Sequence, residues 1–154
     1  MGKNKSWIIV ALLLVVAVVG VIFFYEKNSV KVFTKSEYVK EVIIQNQDFE
    51  NALDGFLDQV SSYNGSKAST ENLEKTADKF TEFVKALEEK LGPRVPHESR
   101  DHYNQMIAAY KIYLEAIDMY KRYVPKKLGE ERESLIKEAD AKLNEARTAM
   151  KNIK

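Results

Sequence analysis

A chain of 154 residues has the length of one domain rather than two. Its 24 Lys+Arg and 23 Asp+Glu leave a formal net charge of +1, which argues against nucleic acid as a partner, because phosphate binding draws on a strong basic excess. With no cysteine, the chain excludes disulfides, thiolate metal sites, a thiol nucleophile and a lipidated cysteine.

Residues 1–6 form a short basic tail carrying Lys3 and Lys5. Its Met-Gly-Lys-Asn-Lys-Ser also fits the short N-myristoylation pattern. An acyl chain adds little beside a transmembrane helix, so a basic flank is the plainer reading.

Residues 7–25, WIIVALLLVVAVVGVIFFY, contain no charge and no proline. At 1.5 Å per residue they reach roughly 28 Å, close to the hydrocarbon thickness of a bilayer. Trp7 and Tyr25 stand at the two ends, where amphipathic rings settle at the headgroup level. A cleaved signal peptide has a shorter apolar region and a small-x-small site. The nearest such site, Val18-Val19-Gly20, would leave an exposed apolar N-terminus, so an uncleaved single-pass signal-anchor in the cell membrane is expected. Lysines lie on both sides of the run, Lys27, Lys31, Lys35 and Lys40 following it. Long domains translocate largely regardless of flanking charge. A short basic tail before a long apolar run therefore points to an N-terminus inside and an extracytoplasmic domain. Membrane lipid is thus the expected partner of 7–25.

A juxtamembrane linker follows over 26–33, and a soluble four-helix bundle over 34–154. Thr34 and Glu37 fit a capping box, with Phe33 and Tyr38 as its hydrophobic staple. The first helix is expected over about 34–63, with the seam Val39, Val42, Asn46, Phe49, Leu53, Phe56, Val60 and Tyr63. Asn64-Gly65 ends it and Ser66 to Ser69 reads as a polar turn. The second runs over about 70–91 on Leu73, Ala77, Phe80, Val84, Leu87 and Leu91, with Gly92 as C-cap and Pro93 as a block.

The third is expected over about 97–123 on Tyr103, Met106, Tyr110, Tyr113, Ile117 and Tyr120, stopped by Pro125. The fourth covers about 129–153 on Leu135, Ala139, Leu143, Ala146, Met150 and Ile153, with Glu133/Lys137 and Glu138/Lys142 as i,i+4 pairs. Short connections between long helices imply antiparallel neighbours, hence an all-α, up-down-up-down bundle with coiled-coil-like packing. In that topology Gly92–Pro96 lies at the end where the bundle begins, and the other two connections lie at the far end.

No motif specifies chemistry. His97-Glu-Ser-Arg-Asp-His102 departs from H-E-x-x-H, and five residues of helix turn the second imidazole about 140° away from the first. Glu-x-x-His, required of a di-iron bundle, does not occur. Glu50, Asp54 and Asp58 make an acidic stripe at i, i+4 and i+8, and Glu74, Asp78 and Glu82 make another; such runs commonly face water. Tyr103, Tyr110, Tyr113 and Tyr120 offer either an interaction surface or a core edge. Asn46, polar on an apolar seam, is the candidate for packing specificity. No enzyme, metal or cofactor is expected. The construction points to an anchored interaction or scaffold protein with a protein partner or self-association. The alternative is a small-ligand binding or sensory bundle acting through another protein.

Overall fold

The computed structural model describes residues 30–126 and 129–153. The tail 1–6, the apolar run 7–25 and most of the linker 26–33 lie outside the described residues. Among those that are described, no helix is long and apolar enough to cross a membrane. Val32–Lys154 forms one compact unit. Four α-helices build it, α1 Lys35–Ser61, α2 Lys67–Ala86, α3 Arg100–Tyr123 and α4 Glu130–Lys151, with no strand among the described residues.

The capping box forms as expected. Glu37 N donates to Thr34 Oγ1 at 3.2 Å, and Thr34 N donates to Glu37 Oε2 at 2.8 Å, so two otherwise orphaned amides at the start of α1 are satisfied. Past the end of α1, Gly65 takes φ 76°, the left-handed conformation that only glycine adopts cheaply. The expected polar turn is shorter than Ser66 to Ser69. Ser66 is itself the N-cap, accepting from Ser69 N at 3.1 Å, so α2 starts three residues earlier than Thr70.

The end of the second helix also departs from expectation. After Ala86 the chain widens into a π turn over Leu87–Leu91, which carries both Leu87 and Leu91 into the core, and then tightens into a 3-10 turn over Gly92–Arg94. Gly92 is right-handed (φ −48°), not a left-handed C-cap. Its missing side chain serves a different need: a Cβ there would stand 2.8 Å from the Tyr103 hydroxyl. A 3-10 turn over His97–Ser99 precedes α3, which therefore starts at Arg100 rather than His97. Arg100 Nη1 holds this corner by donating to the Gly92 carbonyl at 3.0 Å.

Side-chain pairs give the helix directions. α1 meets α3 residues 63 or 64 positions further along, as in Tyr38–His102, Asn46–Tyr110 and Glu50–Tyr113, so the two run parallel. α2 is antiparallel to α3, with Lys121–Asp78 at 2.6 Å and Lys111–Glu88 at 2.8 Å. α4 is antiparallel to α3 through Tyr120–Asp140 and Lys142–Glu115 (2.8 Å). Lys142 thus pairs with Glu115 of the neighbouring helix and, at 3.0 Å, with Glu145 one turn on along its own helix, and not with Glu138. Phe33 N donates to Arg94 O at 2.8 Å, which places the Gly92–Pro96 connection at the end where the bundle begins.

The core is aromatic where α1, α2 and α3 meet. Phe49 contacts Phe80, Phe83, Tyr110 and Tyr113 with ring centroids 4.6–5.5 Å apart. Such edge and tilted contacts add to the burial of large apolar area. α4 is covered more thinly; its fully buried side chains are Ala139, Leu143 and Ala146. Small residues let α3 and α4 approach most closely, and Ala109 and Ala116 are buried on the α3 side.

Candidate functional site

The phase of α1 decides which of its residues meet solvent. Its core face is Tyr38, Val42, Phe49, Leu53 and Phe56. The expected seam began instead at Val39, which is 46% exposed. Tyr38, one i,i+4 step before Val42, continues the core face instead, and its hydroxyl is satisfied by His102 Nδ1 at 2.9 Å. The ring of His102 stands edge-on to Tyr38, and burial lowers the pKa of the imidazole.

The structure places Tyr103, Tyr110, Tyr113 and Tyr120 in the core, each 7% exposed or less, so they are not a surface of the folded chain. Apolar neighbours cover the rings, and the hydroxyls of Tyr110, Tyr113 and Tyr120 reach polar groups at the edge of α1 and α4. Tyr110 donates to Asn46 Oδ1, Tyr113 to Glu50 Oε1 at 3.3 Å, and Tyr120 to Asp140 Oδ1. Burial raises the pKa of all four; next come the charges of Glu88 for Tyr103 and of Glu50 for Tyr110 and Tyr113, and the hydrogen bond to Asp140 for Tyr120. For Tyr113 the value reaches about 12. Asn46, singled out as a polar seam residue, is half-buried and holds the phenol of the fully buried Tyr110.

Asp54 and Asp58 are exposed, as is Glu50 apart from its bond to Tyr113. They make an uninterrupted acidic row on the second half of α1. The other acidic stripe is partly engaged, since Asp78 pairs with Lys121 at 2.6 Å. Among the described residues no group of three His, Asp or Glu side chains is placed to hold a metal ion.

Two features were not singled out in the sequence. One is a cavity of about 280 Å³ between α1 and α2, beside the π turn. Phe33, Phe83, Leu87 and Leu91 give it apolar walls, and Glu41 and Lys90 add charge. The Arg94 guanidinium lies 3.8 Å over the Phe33 ring at its edge. The other feature is the outward apolar side of α1, where Val39, Ile43 and Ile44 are 46%, 51% and 51% exposed. A signal for it was present: the run Val42-Ile43-Ile44 sweeps about 200° of helix, wider than one core seam.

The fold and this surface define a small all-helical bundle with no recognisable catalytic constellation among the described residues. Compared with protein families, with curated proteins and with solved structures, the chain matches none.

Proposed function

We propose that the protein is a single-pass, membrane-anchored helical bundle that holds a protein partner at the extracytoplasmic membrane surface. One observation carries the reading: an uncharged run of membrane-spanning length, 7–25, leads within a few residues into a firmly seated bundle. The entry point is fixed. Phe33 is tied to the Gly92–Pro96 corner by the bond of its amide to the Arg94 carbonyl at 2.8 Å and by the stacked guanidinium. At about 3.3 Å per residue, residues 26–33 extend at most ~27 Å, which keeps that end of the bundle near the bilayer. The exposed row Glu50, Asp54 and Asp58 is the surface offered to the partner, whose complementary face would be basic.

The test is crosslinking of the full chain in native membranes, beside alkaline extraction. The chain should resist extraction and give one specific adduct, lost in an Asp54→Lys, Asp58→Lys variant. Extraction with the peripheral proteins removes the anchor from this reading. Absence of any specific adduct removes the scaffold role.

A second reading, a small-ligand binding bundle acting through another protein, is favoured by the cavity between α1 and α2. A ligand seated there would raise the melting temperature progressively with the logarithm of its concentration above Kd, and Ala86→Phe, placed on the cavity wall, would abolish that rise.

A further inference from the structure

The large apolar side chains that the described residues leave exposed are Val30, Val32, Val39, Ile43 and Ile44, all in the first stretch of the described chain. On α1, Lys35, Val39 and Ile43 form one row at i, i+4 and i+8, and Lys40 and Ile44 stand in the row beside it. The first acidic residue in these rows is Asp48, which continues the Lys40 and Ile44 row at mid-helix. Glu37 and Glu41 stand one row further round, the row that carries Glu41 and Gln45 into the cavity beside α2. Glu50, Asp54 and Asp58 stand seven residues past Ile43, Gln47 and Asn51, so they share the side of the helix that the first row occupies. One face of one helix therefore changes character at mid-length, from apolar and basic to acidic.

We propose that the first half of this face, from Lys35 to Gln47, rests on an anionic lipid bilayer. Val39, Ile43 and Ile44 enter the boundary between headgroups and acyl chains, and Lys35 and Lys40 meet lipid phosphates. The inference rests on the reading of 7–25 as an anchor, which brings the start of α1 within reach of the bilayer. Apolar residues interleaved with lysine are the composition of helices that lie in such an interface.

A second copy of the chain is the other occupant such a face admits, and charge decides against it. Two chains anchored in one membrane would pair their α1 helices in parallel. Lys35 and Lys40 would then face their own counterparts, and Glu50, Asp54 and Asp58 theirs, so like charges oppose along the whole face. An anionic bilayer attracts the basic half and leaves the acidic half to solvent or partner.

The chain has no cysteine, so Val16→Cys, Ile43→Cys and Asp58→Cys each provide a single site for a fluorophore. The full chain is reconstituted in phosphatidylcholine–phosphatidylglycerol vesicles containing lipids with brominated acyl chains. Expected is strong quenching at positions 16 and 43, several-fold weaker quenching at 58, and a loss at 43 alone when phosphatidylglycerol is omitted or when Lys35→Gln and Lys40→Gln are introduced. Helical content and melting should not change, because these positions are exposed. Quenching at 16 without quenching at 43 overturns the proposal and leaves the anchor standing. No quenching at 16 removes the anchor and the proposal with it. Disulfide crosslinking between two copies of Ile43→Cys, without lipid quenching at 43, assigns the face to a second copy and overturns the proposal.

Discussion

The phenol of Tyr110 donates a hydrogen bond to the side-chain oxygen of Asn46, joining α3 to α1. Tyr110 is fully buried, whereas Asn46 keeps partial access to water, so the two ends of this bond are unequal. Removing the acceptor strands a hydroxyl in the core. Removing the donor strands an amide that water still reaches. Asn46→Ala is therefore expected to cost about 1–3 kcal/mol and Tyr110→Phe about 0.5–1.5 kcal/mol. Urea denaturation of both variants and of the double variant checks this. The double variant should cost less than the sum of the two; strict additivity would show that the bond contributes nothing.

Gly92 and Tyr103 form a second coupled pair. The backbone at Gly92 is right-handed and accepts alanine, so any penalty comes from the close approach of the Tyr103 hydroxyl. Gly92→Ala is expected to destabilise by about 1–3 kcal/mol, as overpacking does. Adding Tyr103→Phe removes the hydroxyl and should recover most of that loss. Equal melting of Gly92→Ala and wild type would show that the ring swings clear without cost.

Stability should fall at alkaline pH. Burial raises Tyr38 to about 12, helped by the neighbouring Tyr103, and raises Tyr113 to about 12, helped by Glu50. Each pKa lies above its unfolded value of about 10, so the folded chain keeps protons that the unfolded chain releases. This stabilisation is complete below pH ~10 and is lost as pH rises toward 12, by up to about 1.4 kcal/mol per pH unit for each tyrosine. Urea midpoints between pH 9 and 11.5 should drop progressively, and less steeply in Tyr113→Phe. A flat profile would place these phenols in water.

His102 predicts the opposite slope at acid pH. Burial lowers its folded pKa, so the unfolded chain takes up the proton first. The resulting stabilisation is present above the unfolded value near 6.5 and is lost as pH falls through the folded one. His102 should titrate below 6.5 by proton NMR. Tyr38→Phe, which removes its hydrogen-bond partner, should shift that titration.

Local pattern by itself determined much of this molecule. The all-helical class, the helix count in the bundle, the Thr34–Glu37 cap, the Asn64-Gly65 stop and the core positions Phe49, Leu53, Phe56, Leu73, Phe80 and Val84 all follow from apolar periodicity and capping chemistry. Those signals act within a turn or two of helix, so neighbouring residues suffice to read them. The placement of the Gly92–Pro96 corner beside the bundle entrance follows from helix parity.

Only the tertiary structure decided the rest, because it depends on what another helix presents. Tyr38 rather than Val39 points inward, and its burial is tolerated because His102, across the bundle, supplies a hydrogen-bond partner. The tyrosine row is core rather than surface because Phe49, Phe56 and Phe83 cover its rings while Asn46, Glu50 and Asp140 receive its hydroxyls. Lys142 chooses Glu115 over Glu138 for the same reason. Gly92 reads as a helix stop in one dimension, yet in three it is the space that admits Tyr103. A residue's periodicity reports how it can face; the charge, size and hydrogen-bonding capacity of the residue opposite settle how it does.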